Sequence, residues 1–122
     1  MSVTPGESEA LSLLGLARRA GAVIPGVEAT RRSLEAGRVR LVLLATDASE
    51  TQYKKVRALV RRRNVPVRMI SDKDMLGACV GRGLLSVVGV TSSSFVRLLL
   101  ERLPPRSSGN AGALESEGDG RD

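Results

Sequence analysis

An unbroken apolar run in the middle of the chain constrains the fold more than any other feature. The run lies within Val39 to Ala45 and includes Leu41-Val42-Leu43-Leu44, four consecutive residues without a polar side chain. A strand with one face in water alternates apolar and polar residues, whereas a strand covered on both faces is apolar throughout. The run therefore predicts a strand in the middle layer of the molecule, with helices on both sides of its sheet.

The segments around this strand alternate between helical and strand patterns at short spacing. The predicted helices are residues 9–20 after a Ser8 cap, 27–36, 50–63 after Ser49 or Asp47, 72–80 after Ser71, and 93–103. The predicted strands are residues 22–24, 39–45, 65–70 and 84–90. Such alternation is typical of an α/β fold. We expect a three-layer α/β/α sandwich around a small, largely parallel mixed sheet, with the strand of residues 22–24 at an edge.

The length of the chain and its ends set the expected domain organisation. A chain of 122 residues is long enough for one domain with a buried core and too short for two. We expect a flexible leader at residues 1–6 and the folded domain at residues 7–103. Residues 104–122 are rich in Ser, Gly and Glu and almost free of apolar side chains, which predicts a disordered acidic tail.

The charge of the chain points to a polyanionic partner. The net charge is +6, and since residues 104–122 contribute −2, residues 1–103 hold +8. Nucleic acid fits this excess better than a membrane, because no segment is a basic amphipathic helix with aromatic anchors. Tyr53 and Phe95 are the only aromatic residues, which argues against reading single strands by base stacking.

The composition also removes most of the parts that enzymes use. The chain has no histidine and one cysteine, so imidazole metal sites, paired thiolates and histidine-based triads are excluded. Cys79 lies in an apolar run and is interpreted as a small buried hydrophobe rather than a nucleophile. We therefore expect a non-catalytic protein without a cofactor. A single cysteine, no signal peptide and no long apolar run predict a cytoplasmic location.

The start of the second predicted helix is the strongest candidate for a ligand site. Gly26 can serve as its N-cap, and the first N–H groups of a helix have no intrahelical partner and favour anions. Arg31 and Arg32 lie one turn further on, so phosphate is a natural ligand. A solvated amphipathic helix, with Glu28 and Arg32 paired at i,i+4, is the alternative interpretation.

With these elements in place, the chain resembles the ribosomal protein L7Ae family of kink-turn RNA-binding proteins, especially its small bacterial members encoded near transcription and translation factors. The resemblance spans roughly residues 10–103. The segments that carry it are Leu13 to Gly21, Gly26 to Gly37, Leu41 to Ser49, Val65 to Val67, and Leu76 to Gly81.

The resemblance implies that RNA is held by two parts of the fold, the N-terminus of the second helix and the loop after Gly81. The implied RNA-binding residues are Gly26, Val27, Glu28, Ala29, Arg31 and Arg32 in the first part, and Arg82, Gly83, Leu84 and Leu85 in the second. In the family, the second part packs on a flipped-out nucleotide. Leu84 and Leu85 can pack in this way or can begin the next strand.

This chain departs from the family at two positions of the first part. Archaeal and eukaryotic members carry Gly-x-Asn-Glu-x-x-Lys, which contacts the sheared G·A pairs and the backbone of the kink. Aligned without gaps, Gly26 matches the glycine and Arg32 the lysine, but Glu28 replaces the asparagine and Ala29 the glutamate.

The function that the resemblance implies is non-catalytic binding of structured RNA, ribosomal or otherwise noncoding. The ribosome and transcription or translation factors are the candidate protein partners. One alternative is a protein-interaction module that docks to the transcription or translation machinery through residues 54–63. Another is a substrate-recognition domain like those of RNA methyltransferases, which is weaker because the chain has no room for a catalytic domain. The six cations of residues 50–63 are interpreted as a solvated face rather than an RNA contact.

Overall fold

The computed structural model describes residues 4–105, which form five helices and four strands. The helices are α1 (Pro5–Arg19), α2 (Val27–Glu35), α3 (Glu50–Arg63), α4 (Lys73–Cys79) and α5 (Ser93–Arg102). The strands are β1 (Val23–Pro25), β2 (Leu41–Leu44), β3 (Val67–Met69) and β4 (Val87–Val90). The alternation of the two kinds of element confirms the predicted α/β class. The predicted acidic tail lies outside the described residues from position 106 onward.

Strand β2 explains the three layers. All four of its residues are buried. Leu41 and Leu43 pack into a core with α1, α4 and α5, whereas Val42 and Leu44 pack into a second core with α2 and α3. Successive residues of a strand point to opposite faces, so an all-apolar strand needs helices on both sides. The predicted α/β/α sandwich is confirmed.

The sheet is mixed, in the order β1-β4-β2-β3. Strands β2 and β3 are parallel, but β4 runs antiparallel to both β2 and β1, and β1 lies at an edge as predicted. The prediction that the sheet is largely parallel is wrong, because two of the three pairings are antiparallel. The reason lies in the connection after α4, where the Leu85 amide donates to the Lys73 carbonyl over 3.2 Å. The chain thus returns to the point where α4 began, and β4 enters the sheet from the end that β3 has just left.

Several helix boundaries follow from their caps. Helix α3 begins at Glu50 after Ser49, whose hydroxyl accepts from the Gln52 amide at 3.1 Å, as predicted. Helix α1 begins earlier than expected, at Pro5, because Thr4 rather than Ser8 is its N-cap. Asp72 rather than Ser71 caps α4.

Pro5 and Gly6, which the sequence placed in a flexible leader, are the first turn of α1. A Cβ at Gly6 would come within 2.8 Å of the Arg102 carbonyl oxygen. The first turn of α1 is therefore packed closely against α5.

Candidate nucleic-acid interface

The carboxyl ends of β1, β2 and β3 meet the amino end of β4 at one edge of the sheet. In the register, Pro25 lies opposite Val88, Leu44 opposite Val87, and Leu44 opposite Met69. Helices α2, α3 and α4 each follow one of the first three strands, so all three begin here. We call residues 25–29, 45–50, 70–74 and 82–87 the helix-start edge.

Of the three helices that begin at this edge, α2 differs from the others in its cap. The Ser49 hydroxyl accepts from the first turn of α3, and Asp72 accepts from the Met75 amide of α4 at 2.9 Å. Helix α2 instead has Gly26 as its N-cap, and no side chain accepts a hydrogen bond from its first turn. In α3 and α4 a side chain of the protein accepts from a first-turn amide. The equivalent amides of α2 have no such acceptor and are left for an outside partner.

Gly26 was predicted as the N-cap, and the structure confirms it. Its φ is 102°, a backbone conformation that residues other than glycine rarely adopt. Apart from its chain neighbours, no atom lies within 4 Å of a Cβ built there. Its own amide donates to the Val87 carbonyl at 2.9 Å. The buried hydroxyl of Thr30 donates to the Ile24 carbonyl at 3.1 Å. These bonds fix α2 against β1 and β4 and leave open space beside its N-terminus.

The two arginines of α2 are in different situations. Arg31 contacts Glu28 at 3.1 Å and Glu35 at 3.4 Å, so its guanidinium is held along its own helix. Arg32 is exposed, and no partner for its side chain lies within the described part of the chain. The predicted pair of Glu28 with Arg32 is thus replaced by a pair with Arg31. Arg32, in the last turn of α2, is the cation left for a ligand.

The loop of residues 82–86 is the second part of the candidate site. Gly77 and Gly83 touch so closely that a Cβ on Gly77 would lie 1.5 Å from the Gly83 carbonyl oxygen. This contact and the bond from Leu85 to Lys73 hold the loop on α4. Strand β4 therefore begins at Val87, and the alternative in which Leu84 and Leu85 start the strand is wrong.

The loop gives its two leucines opposite roles. Leu85 is buried in the core with α1 and α5, whereas Leu84 is 65% exposed. Arg82 and Gly83 are also exposed. Leu85 thus anchors the loop, and Leu84 presents an apolar side chain to solvent.

Backbone hydrogen bonds bring the two parts of the site together. The Ser86 carbonyl accepts from the Ala45 amide at 2.9 Å, and the next carbonyl, that of Val87, accepts from Gly26. The end of the loop thus lies between β2 and the start of α2. Val27 and Ala29, both half-buried, begin the helix beside it.

Asp47 has a role that the sequence did not reveal. Its Oδ1 accepts from the Lys73 amide at 2.9 Å, so it closes the first turn of α4 rather than that of α3. An acidic residue just after a strand was the available signal, but its partner is 26 residues further along the chain. The bond ties the end of β2 to the start of α4.

Cys79 lies outside this edge. Its side chain is half-buried, its Sγ donates to the Leu11 carbonyl at 2.8 Å, and burial raises the pKa of the thiol above 9.0. Among residues 4–105, no three His, Cys, Asp or Glu side chains are grouped to hold a metal ion. None of the helices described is both long and apolar enough to cross a bilayer.

Comparison with known proteins gives consistent matches. The chain is 35% identical over 91 residues to the RNA-binding protein YlxQ of Bacillus subtilis. The aligned region covers 75% of this chain and 91% of that protein. It is 30% identical over 89 residues to the RNA-binding protein YlxQ of Enterococcus faecium, covering 73% and 85% of the two chains.

A solved structure of a protein of unknown function from Bacillus halodurans superposes with a TM-score of 0.72 at 34% identity. The superposition covers 77% of this chain and 95% of that one. The model of one family matches residues 8–97, which include every element from α2 to α4 and both parts of the candidate site. The chain therefore belongs to the ribosomal protein L7Ae/L30e/S12e/Gadd45 family.

Proposed function

We propose that this chain binds structured RNA at the helix-start edge. The observation that carries the proposal is the N-terminus of α2, which has no side-chain cap and faces open space at Gly26. The relatives named RNA-binding protein YlxQ support RNA as the ligand class. Ribosomal or another noncoding RNA is the proposed partner, and the role is binding without catalysis.

A phosphate group fits the first part of the site. The free amides and the positive end of the helix dipole attract an anion to the start of α2. Arg32 and Arg82 are exposed cations that add charge without being held by a carboxylate among the described residues. Such contacts give affinity and orientation but carry little sequence information.

An unstacked base fits the second part. Leu84 is 65% exposed on the loop whose end, at Ser86 and Val87, bonds to Ala45 and to the α2 cap Gly26. An exposed apolar side chain is stabilised by covering the face of a base that has left its stack. Regular A-form helices offer no such base, whereas a kinked RNA brings a bent backbone and a flipped-out nucleotide together. The proposed ligand is therefore a kink-turn-like element.

The test compares two exposed leucines. Leu84→Ser removes the apolar contact, and Leu16→Ser, on α1 at 48% exposure, removes a similar side chain elsewhere. Covering about 60 Å² of apolar surface contributes about 1.5 kcal/mol, or roughly tenfold in affinity. Calorimetric titration with a kink-turn RNA should show this loss for Leu84→Ser and less than about a twofold change for Leu16→Ser.

Equal affinities of the two variants would refute the placement of the base. The competing function is docking to the transcription or translation machinery through residues 54–63. The observation that favours it is the exposure of Lys54 and Lys55 on α3. It would be favoured if the natural protein bound no RNA in a salt-sensitive manner.

A further inference from the structure

A second cationic surface lies at the opposite edge of the sheet. Arg38 and Arg40 precede β2, and α3 ends at Arg63, just before β3, which runs parallel to β2. We call Arg38, Arg40 and residues 61–63 the arginine edge. A cleft of about 330 Å³ opens there, and Arg40, Arg63, Asn64 and Pro66 are among the residues that line it.

The cleft is a fixed structure rather than a set of loose side chains. Arg63 donates from Nη2 to the Glu35 carbonyl, and its Nη1 would lie 3.5 Å from a Cβ on Gly37. The Arg40 backbone amide donates to the Val90 carbonyl at 2.8 Å. Asn64 ends α3 in the left-handed conformation, at φ 58°. The Arg63 guanidinium and the Arg40 backbone are thus both held at defined positions in the lining of the cleft.

Positive charge is concentrated at the arginine edge and diluted at the helix-start edge. Residues 36–46 and 51–71 contain no carboxylate, and Glu35 is already bonded to Arg31. The helix-start edge carries five carboxylates, Glu28, Asp47, Glu50, Asp72 and Asp74. The excess charge that pointed to a polyanion is therefore mostly outside the site proposed above.

Helix capping accounts for only part of this cluster. Cations in the last turn of a helix complement its dipole, which explains residues 61–63. Arg38 and Arg40 lie beyond the end of α2 and before β2, where no such reason applies. Together with Arg62, both are exposed and have no side-chain partner in the part of the chain described here.

We infer that the arginine edge is a second RNA surface, which binds the phosphate backbone of a duplex, so that one protein joins two RNA segments. This inference depends on the proposed function. RNA fits better than an acidic protein, because stable protein interfaces have an apolar centre. The large exposed apolar side chains among the described residues, Leu16, Met75 and Leu84, do not line this cleft. Phosphates require only accessible cations, which Arg38, Arg40 and Arg62 supply.

The two surfaces are far enough apart to act separately. Helix α2 runs from one edge to the other, and its nine residues span about 13 Å. A kinked segment at the helix-start edge therefore leaves the arginine edge free for a second segment or for another arm of the same RNA.

The test uses two variants of the full chain with equal loss of charge. The first combines Arg38→Gln, Arg40→Gln and Arg62→Gln. The control combines Lys54→Gln, Lys55→Gln and Arg97→Gln, three cations that are also exposed but do not belong to the arginine edge. Binding of a plain RNA duplex and of a kink-turn RNA is measured over a range of salt concentrations.

Each lost phosphate contact lowers the slope of log affinity against log salt by about 0.7 to 0.9. The arginine variant should therefore lose about two units of slope and at least tenfold in affinity for the plain duplex, while the control loses less than one unit. Leu84→Ser should leave duplex binding unchanged. Equal losses in both triple variants would overturn the inference, since they would reflect long-range attraction alone.

Three further outcomes separate this inference from its alternatives and from the proposed function. Binding of kinked RNA without salt-sensitive binding of the duplex would overturn the second surface only. Loss of binding to polyglutamate by the arginine variant, with unchanged RNA binding, would replace it with a surface for acidic protein. Absence of binding to either RNA would instead overturn the proposed function.

Bridging itself has a direct readout. Immobilised kink-turn RNA should capture a labelled duplex in the presence of the natural protein or of the control variant that lacks Lys54, Lys55 and Arg97. The arginine variant should still bind the immobilised RNA but capture no duplex. Displacement of the kinked RNA by the duplex would show one shared surface and overturn the inference.

Discussion

Replacing Gly77 by alanine should destabilise the protein strongly, because Gly77 is where α4 meets the loop of the candidate site. The new Cβ would lie 1.5 Å from the Gly83 carbonyl oxygen and 3.1 Å from that of Arg82. Both atoms belong to the backbone, so no rotation of a side chain can relieve the overlap. The loop must therefore move by about 2 Å to restore an ordinary van der Waals separation.

The cost follows from the contacts that such a movement breaks. The Arg82 amide donates to the Gly77 carbonyl at 2.8 Å, and the Leu85 amide donates to Lys73 at 3.2 Å. Two hydrogen bonds contribute about 1 kcal/mol each, and partial exposure of Leu85 adds about 1 kcal/mol. A loss of about 3 kcal/mol in the free energy of unfolding corresponds to a decrease in Tm of roughly 10 to 20 °C.

Gly15 in α1 provides a matched control, since it is also a glycine inside a helix. The nearest atom to a Cβ at Gly15 is the Cys79 carbonyl oxygen at 3.7 Å, an ordinary contact. Gly15→Ala should therefore raise the stability by about 0.5 to 1 kcal/mol. Thermal unfolding followed by circular dichroism measures both changes. A Gly77→Ala variant that melts at the same temperature as the natural protein would refute the contact between Gly77 and Gly83.

Two smaller predictions concern the side chains of Thr30 and Cys79. Thr30→Val removes the hydroxyl that bonds to the Ile24 carbonyl and should lower the free energy of unfolding, measured in urea, by about 1 to 2 kcal/mol. The control Thr51→Val, on the exposed face of α3, should lower it by less than about 0.5 kcal/mol. Similar losses in the two variants would contradict the Thr30 bond. Burial raises the pKa of Cys79 above 9.0, so the unfolded thiol ionises first as the pH rises. The stability of the natural protein relative to Cys79→Ala should therefore fall as the pH rises past the ordinary pKa of a thiol, and a constant difference would contradict the raised pKa.

The sequence predicted elements whose signals are local. Ser49 and Asn64 are adjacent to the ends of α3, and both bounds of that helix were predicted correctly. The apolar run in β2 is also a local signal, and it predicted that helices bury both faces of the strand. The direction of β4 has no such signal, since side-chain alternation is the same in parallel and antiparallel strands. It depends on the turn that Gly77, Gly83 and Leu85 make, which involves residues in contact only after folding.

The same distinction applies to the candidate site. Gly26 was predictable as a cap because a Pro-Gly turn precedes a helical pattern. The partner of Glu28 was not, because positions i+3 and i+4 are both within reach on a helix, and the side-chain geometry decides between them. The bond from Asp47 to Lys73 joins the segment after β2 to the start of α4, which follows the parallel strand β3, so it requires the sheet order.

The replacement of the family's asparagine and glutamate by Glu28 and Ala29 leads to a prediction about specificity. An ionised carboxylate only accepts hydrogen bonds, and Glu28 is already engaged by Arg31 at 3.1 Å. Ala29 offers no hydrogen-bonding group. We therefore expect the natural protein to discriminate only weakly between a kink-turn RNA and a variant RNA that lacks the G·A pairs. The difference in binding free energy should be smaller than the roughly 1 to 3 kcal/mol per pair that good base contacts provide.

Two variants separate affinity from discrimination. Glu28→Ala frees Arg31 from one of its two carboxylates and should strengthen binding of both RNAs by a similar factor, because phosphate contacts do not depend on base identity. Glu28→Asn combined with Ala29→Glu restores groups that can bond to base edges, so it should also widen the difference between the RNAs, by about 1 kcal/mol or more. Calorimetry at one salt concentration measures all six affinities, those of the natural protein and of the two variants for each RNA. If the natural protein already discriminates by several kcal/mol, base recognition must come from the amides of α2 and the loop at Leu84, and the gap-free alignment of Glu28 and Ala29 would lose its functional meaning.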